Sequence, residues 1–193
     1  MALAANAVVL GYVGLWILAR AGGKAAEVRD RAVGAIAGVE LWLAFGVATI
    51  ATLGSLYLSE VVGLVPCRLC WFQRIFIYPM VPVLGLAAWT RDVGARRYVL
   101  ALALPGMAFS LYHYVIQHFP GLEGGACDVF APCSAAYIWL WGFVSIPYMA
   151  LSALLLVVVL TFSLGRNLRM LSLSTREGID GRHKDPVTAN GID

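Results

Sequence analysis

Charged side chains are scarce in this sequence. Lys, Arg, Asp and Glu together make up 13% of its 193 residues, about half the share in an ordinary soluble domain. Hydrophobic residues make up 61% of the chain, and the mean hydropathy is +0.80. A chain of this length can hardly bury so much apolar surface in a water-soluble core. We therefore expect the lipid bilayer to be its solvent.

Motifs for the common nucleotide and haem cofactors are also missing. No GxGxxG fingerprint follows a predicted strand, and no CxxCH haem motif is present. The formal net charge of +3 arises from basic residues that flank apolar segments, so it indicates membrane topology and gives no support to a nucleic-acid partner.

Five segments approach or exceed the length of about 20 apolar residues that a membrane span requires. They are Ala2–Ala19, Val39–Leu58, Trp71–Thr90, Tyr98–Ile116 and Tyr137–Phe162. Backbone groups in lipid must be satisfied within helices or a closed barrel, and these runs are too long for barrel strands. The sequence predicts an all-α integral membrane protein. The first segment resembles a secretory signal in length, but MALAANAVVL has no positive start and a basic cluster follows it, which favours a span.

The basic residues predict the orientation of the spans. If the five segments alternate, 12 of the 14 Lys and Arg residues fall on one side, within residues 20–38, residues 91–97 and the tail after residue 165. The positive-inside rule makes this side cytoplasmic. Residues 163–193 are then a polar cytoplasmic tail, which we expect to be disordered. The exceptions, Arg68 and Arg74, lie in an outer loop and its adjoining segment.

All cysteines fall in the two predicted outer loops, on the side where disulfides persist. They are Cys67, Cys70, Cys127 and Cys133. Two structural disulfides, a four-cysteine zinc site and a redox relay of two exchanging pairs are all compatible with this number. The spacing favours the relay, because a CxxC disulfide closes a tiny, strained and labile ring. An oxidising exterior also disfavours four free thiolates, and Cx5C is unlike the usual second half of a zinc site.

Residues near the CxxC pair suggest an electron acceptor. We expect a helix to start near Trp71, so that its positive N-terminus stabilises a thiolate at Cys70. Arg74 is one turn further on the same face, where it either extends to the headgroups or has a function. With no nucleotide motif present, elimination favours a membrane quinone, to which Arg74 would donate a hydrogen bond.

Two aromatic residues are further candidates for the quinone pocket. Trp71 is close enough to Cys70 to border such a pocket. His113, at the outer end of the fourth segment, is the other candidate, although an interfacial aromatic belt with a histidine at headgroup level is the favoured explanation.

Two stretches resemble one known family. GSLYLSEVVGLVPCRLCWFQRIFIYP at residues 54–79 and CDVFAPCSAAYIWLWGFVSIPYMAL at residues 127–151 are similar to the disulfide bond formation protein B (DsbB) family, and most similar to its short BdbC-like branch. The resemblance extends over roughly residues 39–162. It implies a four-helix transmembrane bundle, to which this chain adds one extra N-terminal transmembrane segment and linker at residues 1–38.

The resemblance also implies a function. Family members are thiol:quinone oxidoreductases of the bacterial cell membrane that reoxidise an extracytoplasmic thioredoxin-fold thiol oxidase, similar to DsbA or BdbD, and pass the electrons to ubiquinone or menaquinone. By resemblance, the partner attacks Cys127, and Cys133 exchanges with Cys67. Cys70 then interacts with the quinone, assisted by Arg74. The second pair is more closely spaced here than in the best-known members.

Two rival functions remain at this stage. One is a vitamin K epoxide reductase-like membrane enzyme, against which the order of the motifs argues. The other is a non-enzymatic metal-binding or structural membrane protein.

The predicted orientation can be tested by thiol labelling. A membrane-impermeant maleimide should label the reduced loop cysteines in intact cells, because both loops are expected to face outward. A cysteine introduced at Gly94, in a chain whose own cysteines are replaced by serine, should be labelled only after lysis. Labelling of the native cysteines only after lysis would overturn the orientation.

Overall fold

The computed structural model describes residues 2–20, 27–28, 31, 34–35, 38–123, 127, 131–135 and 137–184. Within these ranges no β-strand forms, and an isolated bridge joins Leu140 and Val144. Six α-helices carry the labels used below. They are α1 (Ala2–Arg20), α2 (Glu40–Leu56), α3 (Arg68–Ile77), α4 (Met80–Thr90), α5 (Arg96–His118) and α6 (Ile146–Lys184).

Four helical stretches are long and apolar enough to cross a membrane. They are Glu40–Val61, Arg68–Thr90, Val93–His118 and Ile146–Gly165. The prediction of an all-α, multi-pass membrane protein built on four spans is confirmed. The predicted N-terminal segment is also helical, as α1, and packs against α6. Its crossing of the membrane stays a prediction.

The bundle core lies where α2, α4, α5 and α6 meet. Met80, Leu84 and Val99 are fully buried there, together with Leu154 and Val157 of α6. Close approach at the centre requires Gly106 of α5, since a Cβ atom there would lie 3.0 Å from the Phe76 Cβ and 3.2 Å from a Leu154 methyl. A methyl group at this position would therefore require Phe76 or Leu154 to shift by a few tenths of an ångström.

The third span begins earlier than the sequence suggested, and it is interrupted. Its first helix, α3, begins at Arg68 rather than near Trp71, with Cys67 as its N-cap residue. It ends at Ile77, and α4 begins at Met80 after Pro79. Proline has no amide hydrogen to continue the helical ladder, so the break is expected at this residue. The early start of α3 places both cysteines of the CxxC pair in its first turn.

The last span begins later than predicted. We expected a helix from Tyr137 to Phe162, but α6 begins at Ile146. Trp141 and Gly142 have φ angles of 53° and 78°, which a right-handed helix cannot accommodate. Pro147, at the second position of α6, suits a first helical turn. Residues 137–145 therefore form a loop above the bundle.

The helix α6 also extends beyond the predicted end of the bundle. It continues to Lys184, so residues 163–184 are helical where we expected a disordered tail. The stretch NLRMLSL contains good helix formers and no proline, which explains how the helix continues. Residues 185–193 lie outside the described residues. The predicted domain boundaries at residues 38 and 162 stay a prediction.

Candidate redox site

The first turn of α3 fixes the CxxC pair. Cys67 has an extended backbone at the N-cap, and its sulfur accepts a hydrogen bond from the Cys70 amide over 3.4 Å. Both cysteines are free, and their sulfur atoms lie 3.0 Å apart. Cys67 is 2% exposed, whereas Cys70 is half-buried. Two thiols held this close are arranged to form a disulfide on oxidation.

The second pair is already oxidised. Cys127 and Cys133 form a disulfide within the loop between α5 and α6, which gives the connectivity that the sequence left open. Cys133 is fully buried and packs in one apolar cluster with Cys67, Leu69 and Ile116. Cys127 lies at the edge of this cluster. The loop therefore brings a disulfide against a reduced thiol pair.

His113 of α5 lies between the two pairs. Its Nε2 atom is 3.1 Å from the Cys133 carbonyl oxygen and 3.7 Å from the Cys67 sulfur. The ring is 2% exposed, so it is not a headgroup-level residue of an aromatic belt. Its polar contacts include the Cys67 sulfur and the loop carbonyl of Cys133; its place in a quinone pocket stays a prediction.

The neighbours of Cys67 favour its thiolate form. A hydrogen bond with the Cys70 thiol lowers the pKa of Cys67, and His113 lowers it further, while burial opposes both by raising it. We expected the N-terminus of the helix to favour a thiolate at Cys70. The helix begins three residues earlier than expected, so it is the sulfur of Cys67 that occupies the N-cap position.

Arg74 is buried and connects two helices. Its Nε and Nη2 groups donate to the Ser55 hydroxyl and carbonyl oxygens of α2, over 3.0 and 3.1 Å. Its guanidinium also lies 5.3 Å from the centre of the Trp71 ring. With 9% of its surface exposed, it does not extend to the headgroups. Ser55 takes two of the five guanidinium donors.

Trp71 and Cys70 border the outer surface of the bundle. Trp71 is 54% exposed and lies on the same helix as Cys70 and Arg74, within one turn of both. On the inner side, Cys67 and Cys70 line a narrow cleft of about 10 Å³ together with Gln117 and Tyr137. This cleft has room for about one water molecule, so a ring-sized ligand would have to approach from the Trp71 side.

Sequence reasoning missed three polar residues of the site. Gln73 is 4% exposed, and its side-chain nitrogen lies 3.4 Å from His113 Nδ1. Glu123 accepts a hydrogen bond from the Cys133 amide over 2.8 Å, and Ser55 binds Arg74. Gln73, three residues after Cys70 in a span with few polar residues, was a detectable signal. Glu123 and Ser55 carried no such signal in the sequence, because they reach their partners only in the folded chain.

Comparison with known proteins identifies related chains. The family model described as "Disulfide bond formation protein DsbB" matches residues 39–165. The chain is 44% identical over 122 residues to disulfide bond formation protein C of Bacillus subtilis, a match that covers 63% of this chain and 88% of the relative.

Two further relatives carry similar names. "Probable disulfide formation protein C 1" of Bacillus anthracis is 45% identical over 129 residues, covering 66% of this chain and 92% of the relative. "Probable disulfide formation protein" of Coxiella burnetii is 41% identical over 119 residues, covering 61% and 81%. No solved structure matches the chain.

The hydrogen bond from Cys133 to Glu123 generates a prediction about the loop. Glu123→Ala should make the loop disulfide react roughly tenfold faster with dithiothreitol, since the loss of one hydrogen bond to a charged acceptor frees the loop around Cys133. The rate can be followed by alkylation and gel shift in a chain whose Cys67 and Cys70 are replaced by serine.

Glu123→Gln is the matched control, because it keeps an acceptor oxygen and removes the charge. It should react within about threefold of the parent chain, as expected for a neutral acceptor that keeps the bond. Equal acceleration in both variants would show that charge, and not the hydrogen bond, protects the disulfide.

Proposed function

This chain belongs to the disulfide bond formation protein DsbB family, and from that premise we propose that it passes electrons from a secreted thiol oxidase to a membrane quinone. Membership of the family makes it a multi-pass membrane oxidoreductase of disulfide bond formation. The proposal adds its electron donor, its acceptor and the role of each cysteine.

The single observation that carries the proposal is the pairing of a disulfide with a dithiol. The disulfide of Cys127 and Cys133 packs in one buried cluster with the free Cys67 and, at its edge, Cys70. This is the arrangement expected after electrons have passed from the loop to the CxxC pair and before they leave the protein. Two structural disulfides would not require the two cysteine pairs to pack together in one cluster.

The partner enters through the loop. A thiolate of the partner attacks the Cys127 sulfur, so that a bond to Cys127 forms, the bond to Cys133 breaks, and the electron pair leaves on Cys133. The Cys133 thiolate then attacks Cys67 of the oxidised CxxC pair, and the electron pair leaves on Cys70. Partial exposure of Cys127 and complete burial of Cys133 are consistent with this order.

The loop disulfide is restored from the same intermediate. The second thiol of the partner displaces Cys127 and completes the partner's own disulfide. The freed Cys127 thiolate then attacks Cys133, which releases Cys67 with the electron pair. Two electrons have now moved from the partner to the CxxC pair. The product has a disulfide at Cys127 and Cys133 and a dithiol at Cys67 and Cys70, which is the same pairing as in the structure.

The acceptor is proposed to bind at the exposed side of α3. A quinone takes up two electrons and two protons, which are the two electrons and two protons that the Cys67 and Cys70 thiols release when their sulfurs join. Trp71 offers an exposed flat surface beside Cys70. Two of the five N–H donors of Arg74 bind Ser55 within the described part of the chain, which leaves three. One of these three would donate to a ring oxygen of the quinone. His113 is assigned to Cys67 rather than to the ring.

The proposed electron transfer also specifies the partner, the quinone and the orientation of the loops. The partner is an extracytoplasmic thioredoxin-fold thiol oxidase, similar to DsbA or BdbD, and the quinone is ubiquinone or menaquinone of the cell membrane. Both cysteine loops then face outward, as the distribution of basic residues also predicts.

Cys70→Ser tests the proposed function. Purified protein should reduce a ubiquinone or menaquinone analogue when a reduced thioredoxin-fold oxidase is supplied, with quinone absorbance as the measure. Cys70→Ser should lose this activity and still form a mixed disulfide with the partner, because Cys127 and Cys133 remain. Normal turnover in the variant would exclude the mechanism. About one bound zinc per chain, with no quinone reduction by the parent protein, would favour the metal-binding alternative.

Arg74→Ala tests the quinone contact. We expect the KM for quinone to rise roughly tenfold, which is the effect of losing one charge-assisted hydrogen bond, while formation of the mixed disulfide is unchanged. Arg97→Ala, at the opposite end of α5, is the matched control and should leave the KM unchanged. An unaltered KM in Arg74→Ala would show that Arg74 serves only to join α2 and α3.

A further inference from the structure

Within the described part of the chain, His113 is the one histidine whose ring contacts a residue of each cysteine pair, Cys67 and Cys133. Its Nε2 atom faces the Cys133 carbonyl oxygen at 3.1 Å and the Cys67 sulfur at 3.7 Å. A neutral imidazole carries its hydrogen on one nitrogen only. Which nitrogen carries it therefore decides whether His113 can donate to the sulfur at all.

The contacts of the ring determine its tautomer. A carbonyl oxygen only accepts hydrogen bonds, so the contact with Cys133 requires the hydrogen on Nε2. Nδ1 is then an acceptor, and the group facing it, 3.4 Å away, is the side-chain amide of Gln73. The amide nitrogen of Gln73 can donate to this position. Both side chains are buried, at 4% and 2% exposure, so water has little access to replace either partner.

We propose that Gln73 is a positioning residue that holds His113 in the Nε2–H tautomer. Its amide touches neither sulfur and acts only through the ring. In this tautomer the Nε2–H group faces Cys67 and stabilises the thiolate that forms when the loop disulfide is restored. The inference rests on the proposed function for its effect on turnover, but the tautomer itself is independent of it.

The alternative tautomer would disable the contact. With the hydrogen on Nδ1, the bare Nε2 lone pair would face a carbonyl oxygen and a thiolate, which repel it. Gln73 prevents this only while its nitrogen, and not its oxygen, points at the ring. A glutamate at residue 73 offers only acceptor oxygens when ionised, and it would draw the hydrogen to Nδ1.

The tautomer can be measured directly. The ¹⁵N chemical shifts of His113, in detergent-solubilised protein labelled at histidine and assigned with His113→Asn, should show a protonated Nε2 and a bare Nδ1. Gln73→Met, which keeps the length of the side chain and removes the donor, should give a mixture of tautomers. Gln73→Glu should give a ring protonated at Nδ1. Thr161→Val, which removes a buried hydroxyl at the opposite end of the bundle, is the control and should leave the shifts unchanged.

Turnover supplies the second measurement. Gln73→Met should lower kcat for quinone reduction about tenfold, equivalent to one pKa unit of thiolate stabilisation, with an unchanged KM for quinone. Retention of the Nε2–H tautomer in Gln73→Met, or a bare Nε2 in the parent chain, would overturn the inference. If the parent chain reduces no quinone while its shifts behave as expected, the proposed function fails and the role of Gln73 in fixing the tautomer stands.

Discussion

The capping of α3 by a sulfur atom is the interaction on which the site depends. Cys67 follows Pro66, has an extended backbone and is the N-cap residue of α3. Its sulfur therefore lies over the first turn of the helix and accepts a hydrogen bond from the amide of Cys70. That position brings it beside Cys70, under the loop disulfide and against His113 at the same time. A start even one residue later would rotate the cysteines relative to α5 and separate these groups.

Much of the fold could be predicted from the sequence, because lipid imposes simple requirements on composition. Apolar runs of sufficient length gave the four spans that the structure contains, and the spacing of the cysteines indicated two redox pairs. The ends of the helices were less predictable. The cap at Cys67 and the left-handed backbone of Trp141 and Gly142 depend on local geometry that hydropathy does not contain.

The polar interior of the site was the least predictable part. For Arg74 the expectations were a quinone contact or extension to the headgroups; the structure adds Ser55, 19 residues earlier, which binds it within the bundle. His113 was expected at an interface and is buried, because Gln73 and the Cys133 carbonyl satisfy both of its nitrogens. Such pairs are separated by up to 40 residues in the sequence, and no periodic pattern reports them. Buried polar groups in a membrane bundle need partners, but the sequence alone does not say which.

The burial of Cys67 also limits the access of other thiols to its sulfur. Cys67 is 2% exposed, so thiols in water have little direct access to its sulfur, whereas the half-buried Cys70 is more accessible. The loop that carries the disulfide of Cys127 and Cys133 packs against Cys67 and covers it. On the proposed function, the same loop would pass electrons to Cys67 and shield its sulfur from thiols that do not react at Cys127.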